Sequence, residues 1–135
     1  MLFLLLAALA QTTPTPPART IERGQMSFID APRQVTARTA AEWSAAWRAH
    51  AGDRQPPAVD FSKEMVVGVF LGSRRTSGYA VEIVRTREEN GALIVQYVET
   101  QPAPRAITAQ VITMPYQLVA VPQRAGEVRF EKVDK

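Results

Sequence analysis

The chain has 135 residues, carries 16 Lys and Arg against 13 Asp and Glu for a net charge of +3, and contains one histidine and no cysteine. That length fits one domain around one core, and the missing cysteine excludes disulfide staples, thiol catalysis, Cys-based zinc sites and a lipid anchor on an N-terminal cysteine. The basic residues are scattered, with Arg74-Arg75 the one adjacent pair; a nucleic-acid binder concentrates positive charge on one element, so nucleic acid is not an expected partner.

Met1 to Ala10 holds Leu2, Phe3, Leu4, Leu5, Leu6, Ala7, Ala8 and Leu9 without a charge, and Ala8-Leu9-Ala10 has the small-x-small pattern that signal peptidases cut. The segment reads as a signal peptide over residues 1–10 and is far shorter than the roughly 20 apolar residues of a spanning helix. The expected location is therefore periplasmic or extracellular, with no integral membrane span. No Lys or Arg precedes the apolar run, which carries the expectation that translation starts further upstream. Residues 11–19 hold three prolines and three threonines and read as an extended linker, so the folded domain is expected over 20–135.

Within the domain, residues 20–30 and 33–38 read as short strands parted by Ala31-Pro32. Residues 39–51 are the expected amphipathic helix. Thr39 and Glu42 form a capping box, Trp43, Ala46, Trp47 and His50 recur on one face, and Gly52 stands where a left-handed cap belongs. Pro56-Pro57 then stops the helix from restarting. The near-continuous apolar run over 64–71, EMVVGVFL, predicts a central strand covered on both faces.

Residues 79–87 and 92–100 predict a hairpin across Glu89-Asn90-Gly91. A two-residue Asn-Gly turn would set Glu82 directly opposite Glu99; a three-residue loop with Gly91 as a bulge pairs Ile83 with Tyr97 instead and is the preferred register. Pro102 and Pro104 break the chain, residues 111–114 and 117–121 read as strands interrupted by Pro115, and 126–133 as a last strand. The expected fold is α+β and mostly antiparallel: a small β-sandwich or barrel-like sheet of about seven strands with one helix.

Chemistry is thinly represented. A lone histidine such as His50 at a helix end usually serves the free carbonyls and the dipole there. A Ser-His-Asp enzyme would need it to meet Asp53 or Asp60 and a serine, and no G-x-S-x-G elbow occurs. A hydrolase built on carboxylates could draw on Glu82, Glu88, Glu89 and Glu99, but no pair is identifiable from spacing. Asp60 and Glu64 lack further ligands for a metal, and the 72–78 loop joins two strands without the Gly-Lys-Ser/Thr ending of a phosphate loop. No cofactor is expected. The loop has the arginine pair and hydroxyls of a protein-contacting segment, and equally the composition of a flexible solvated connection.

From Asp60-Phe61-Ser62 through MVVGVFLG, Thr76-Ser77-Gly78-Tyr79, the hairpin, Pro102-Ala103-Pro104 and Met114-Pro115-Tyr116 to Phe130, the order of features resembles the C-terminal domain of the PrcB family over 61–130. That family is named for an accessory subunit of a secreted protease complex. The resemblance implies an exported, non-catalytic binding module whose partner is another protein and which would serve as an accessory or stabilising subunit of a protease or envelope complex; the isolated chain is expected to be a monomer. The residues it singles out are Gly72, Gly78, Tyr79, Pro115 and Tyr116. With their neighbours Arg74, Arg75, Thr76, Ser77 and Met114 they form the expected partner-binding set. A more distant likeness links Thr76-Ser77-Gly78-Tyr79 and Pro115-Tyr116 to the two inhibitory loops of chagasin-type cysteine-protease inhibitors. The Asn-Pro that opens the first of those loops is replaced by Arg74-Arg75, and the third, glycine-rich loop has no counterpart. Loop-mediated inhibition and a carboxylate hydrolase are thus the alternative functions.

Overall fold

A computed structural model describes residues 18–134. The expected signal peptide and all but the last two residues of the linker lie outside the described residues. Seven strands and one helix follow in order: β1 (Arg19–Gly24), β2 (Arg33–Ala37), α1 (Ala40–Ala51), β3 (Glu64–Phe70), β4 (Ala80–Glu89), β5 (Ala92–Thr100), β6 (Tyr116–Pro122) and β7 (Val128–Lys132). They form two sheets, β1-β6-β3-β2 and β4-β5-β7. The architecture is α+β, sandwich-like and not a closed barrel. All pairings are antiparallel except β5 with β7, because the chain crosses from β6 in one sheet to reach the far edge of the other.

The pattern of β3 explains the layering. Met65, Val67, Val69 and Leu71 pack towards the second sheet against Leu93, Val95 and Val81, while Val66 and Phe70 pack towards α1 with Leu118, Trp43 and Trp47. A strand covered on both faces has no solvent side to mark with polar residues. Gly68 sits opposite Leu118, and a side chain there would lie 2.6 Å from the Leu118 methyl, so the glycine gives Leu118 its place in the core.

The helix has the expected N-cap, whereas Gly52 at its other end combines a positive φ with ψ −125° and so is not in the left-handed helical conformation expected of it. Thr39 Oγ1 accepts from Glu42 N–H at 3.2 Å, and Gly52, at φ 66°, donates its N–H to Arg48 O at 2.9 Å. Glu42 closes its half of the box one residue upstream, accepting from Arg38 N–H at 2.7 Å. Trp43 and Trp47 donate their indole N–H groups to the carbonyls of Pro57 and Arg54, which binds the 53–57 loop to the helix.

Three expectations need correction. The hairpin turn is the two-residue Asn90-Gly91 loop, with φ values of 51° and 82° that suit the twist of the strands and with Glu89 opposite Ala92. The Glu82–Glu99 clash is avoided by a bulge at Val84 rather than at the turn, so Ile83 still pairs with Tyr97 and Glu82 meets Val98. Second, residues 111–114 are not a strand; only Thr113 and Met114 make isolated bridges. Third, the strand expected over 20–30 ends at Gly24, after which Met26 makes one bridge to Met114.

Candidate functional site

Three segments converge where β6 begins. Met114 N–H donates to Gln25 O at 2.7 Å and Ser27 N–H to Met114 O at 3.1 Å, while Arg74 and Thr113 exchange both backbone hydrogen bonds at 2.8 and 2.9 Å. Ser77 and Ala109 are joined twice, by Ser77 N–H to Ala109 O at 3.1 Å and Ala109 N–H to Ser77 Oγ at 2.8 Å. Thr113 Oγ1 donates to Thr76 O at 3.0 Å. Gly72, at φ 79°, passes so close to the chain at Pro32 that a Cβ would lie 2.8 Å from the proline nitrogen. The 72–79 and 114–116 loops expected to contact a partner are thus adjacent through Thr113, and the 25–29 segment lies along them.

The individual residues separate into two groups. Arg74 is a structural tie: its guanidinium donates to Glu99 Oε2 at 3.0 and 3.3 Å and to Leu71 O at 2.9 Å, and lies 5.7 Å from the Tyr79 ring centre. Glu99, almost buried, is also paired with Lys132 at 3.3 Å. Pro115 is fully buried and its carbonyl accepts from Leu71 N–H, while Tyr116 is 6% exposed and points into the core. The expectation that Pro115 and Tyr116 meet a partner is therefore corrected, and with it the likeness to a presented inhibitory loop. Arg75 and Gly78 are exposed, and Thr76, Ser77, Tyr79 and Met114 are partly so.

What the sequence reading missed is apolar. Met26 (62% exposed), Phe28 (70%), Ile107 (102%), Val111 (48%) and Ile112 (59%) all belong to the segments that line this edge. Met26 and Phe28 lie in the segment expected as a strand over 20–30, and Val111 and Ile112 in the one expected over 111–114, and residue type alone does not tell an exposed apolar side chain from a buried one. Exposed apolar chains on segments that meet at one edge are the composition of a contact surface.

Behind the edge lies a polar network. His50 is 1% exposed; its Nε2 lies 2.8 Å from Glu22 Oε1 and its Nδ1 2.8 Å from Ser27 Oγ. Since the carboxylate only accepts, Nε2 carries the proton and Nδ1 accepts from the Ser27 hydroxyl, which itself accepts from Ile29 N–H at 3.0 Å. Tyr116 donates to Glu22 at 2.6 Å and Arg54 at 3.1 and 3.3 Å. Burial alone would raise the Glu22 pKa, but the hydrogen bonds from Arg54, Tyr116 and His50 outweigh it and hold the carboxyl at about 2. Burial lowers His50 against the upward pull of Glu22, and burial, followed by the hydrogen bond to Glu22 and then its charge, raises Tyr116.

Serine, histidine and acid do meet, then, but through Ser27 and Glu22 rather than Asp53 or Asp60, and not at the helix carbonyls. Ser27 is 1% exposed and bonded to Nδ1, with the acid on Nε2, the reverse of the arrangement that activates a serine. Its role is positional: His50 O accepts from Phe28 N–H at 2.8 Å and its ring holds Ser27, so the helix end fixes the segment that displays Met26 and Phe28. Asp60 and Glu82 are both exposed, and Asp60 accepts from Ser62 N–H and Oγ–H.

The molecule is thus a two-sheet β domain with one packed helix and an uncovered apolar loop edge. Residues 65–122 match the family model described as PrcB C-terminal, the family that the order of sequence features resembles. The matched stretch runs from β3 through β6 and includes both converging loops, while Met26, Phe28 and α1 lie outside it. No curated protein and no solved structure matches the chain. Among the described residues no helix is long and apolar enough to cross a membrane.

Proposed function

We propose that this chain is an exported, non-catalytic accessory domain that binds a protein partner through the edge formed by residues 25–29, 72–78 and 107–114. The observation that carries the reading is the exposure of Met26, Phe28, Ile107, Val111 and Ile112 on segments bonded to one another at this edge, two of which fall within the PrcB C-terminal match. The apolar leader over residues 1–10 supports action in the periplasm or outside the cell. The family resemblance makes a protease of that compartment the expected partner, and the isolated domain is expected to be a monomer.

The test is affinity capture from the native envelope, identification of the retained proteins by mass spectrometry, and binding measurements with the purified partner. The double substitution Ile107→Ser with Ile112→Ser is expected to weaken binding at least about tenfold, the loss typical of removing central apolar contacts. Unchanged affinity in a variant that folds normally would reject this edge.

A further inference from the structure

At the other end of β6 from the docking edge, a cleft of about 390 Å³ opens between the two sheets. Seven strand residues at about 3.3 Å each separate the two places by about 20 Å. The volume lies within the roughly 300–1,000 Å³ of small-ligand pockets. Leu93, Val121 and Pro122 form its apolar wall, and Thr86, Arg87 and Arg124 bring polar groups to it.

Arg124 is held in place but incompletely used. Its Nη2 donates to Gly91 O at 3.0 Å and its Nε to Ala125 O at 3.3 Å, and Arg38 fixes the backbone on either side by donating to the carbonyls of Arg124 and Gly126. The remaining nitrogen, Nη1, is buried and makes no hydrogen bond, although Glu88 Oε2 lies 2.9 Å away. The two observations agree if the carboxylate is near but misaligned: the charges attract while no N–H points at the oxygen. Glu88 is 75% exposed, so it is free to swing into solvent. A buried guanidinium bonds carboxylates best when both its N–H groups are engaged in plane. Arg87 is similarly loose, 3.6 Å from Glu89 and 3.9 Å from Glu131.

We propose that this cleft binds the C-terminal carboxylate of a polypeptide ending in an apolar residue. The carboxylate takes the place of Glu88 on Arg124, and the last side chain rests on Leu93, Val121 and Pro122. A polypeptide fits better than a simple fatty acid because the cleft borders β4, an edge strand whose outward backbone groups have no ladder partner in the sheet.

The full chain, labelled with ¹⁵N, would be titrated with the acetylated tripeptide Ala-Val-Leu bearing a free carboxylate, with its C-terminal amide, and with hexanoate. The free peptide should shift the Thr86 and Leu93 amides and the Arg124 Nε–H signal, and the amide should bind at least about tenfold more weakly. Glu88→Gln should tighten peptide binding several-fold by removing the internal competitor, and Arg124→Gln should abolish it. Because Arg124 also ties the hairpin tip, Glu88→Gln decides the matter should Arg124→Gln fail to fold. Equal binding of acid and amide, no shift at the cleft, or a Glu88→Gln variant with unchanged or weaker affinity would each overturn the proposal. Hexanoate binding as tightly as the peptide would overturn the polypeptide as occupant. None of these outcomes depends on the docking edge.

Discussion

The two ends of the 25–29 segment's surroundings make an instructive contrast. On the α1 side, Trp43, Trp47, His50, Phe70 and Tyr116 pack with ring centres 4.3–5.9 Å apart, mostly tilted or edge-on, and the polar atoms of Glu22, Ser27, His50 and Tyr116 are joined in one network. A few residues away, Met26, Phe28, Val111 and Ile112 stand in solvent. One region spends its side chains on stability, and the other leaves apolar surface uncovered at a rigidly held edge. The rigidity matters for binding, because a pre-ordered edge loses less conformational entropy on association than a loose loop.

The contrast can be broken from the stable side first. Trp47→Ala removes a buried indole together with its hydrogen bond to Arg54 O, and should cost about 3–5 kcal/mol in chemical denaturation. A loss under about 1 kcal/mol would mean that α1 does not seal this face.

Glu22→Gln comes next, at about 2–4 kcal/mol, because it removes the charge that Arg54, Tyr116 and His50 all address. It also has a pH signature. A Glu22 pKa lowered from 4.5 to about 2 adds stability that is fully present above 4.5 and is lost as pH falls towards 2. His50 acts in the same direction: its pKa is lowered by burial, so stability declines as pH drops below its ordinary 6.5. Denaturant midpoints measured from pH 7 to pH 2 should fall steadily in the parent, whereas Glu22→Gln should flatten the limb below pH 4.5. A parallel limb in both proteins would remove Glu22 from the account.

The smallest expected effect sharpens the other half of the comparison. Ile107→Ser and Ile112→Ser should each change unfolding free energy by less than about 0.5 kcal/mol, since neither side chain is buried. A substantially larger loss by the same denaturation assay would show that these residues pack in the isolated domain and are not held out for a partner.

Much of this was legible from local patterns. The helix over 39–51 announced itself through Thr39, Glu42 and Gly52 because capping is satisfied within a few residues. The Ile83–Tyr97 pairing followed from the cost of Glu82 facing Glu99, even though the chain meets that cost with a bulge at Val84 instead of a longer turn. The resemblance singled out the 72–79 and 114–116 loops as contacts for one partner, and the structure bridges Arg74 to Thr113, the residue before the second of them.

The sequence by itself determined the helix over 39–51, the strands of the hairpin and the two-faced burial of β3, because periodicity and caps are written within short stretches of chain. Tertiary structure decided which residues of the binding loops face out. Pro115 and Tyr116 turn inward because Glu22, 94 residues away, accepts the tyrosine hydroxyl, and Met26 and Phe28 turn outward because His50 holds Ser27 between them. Likewise, only the folded chain brings Arg124 against the hairpin tip while leaving one of its nitrogens without a hydrogen bond. Residue type states what a side chain prefers; long-range contacts determine whether that preference is met.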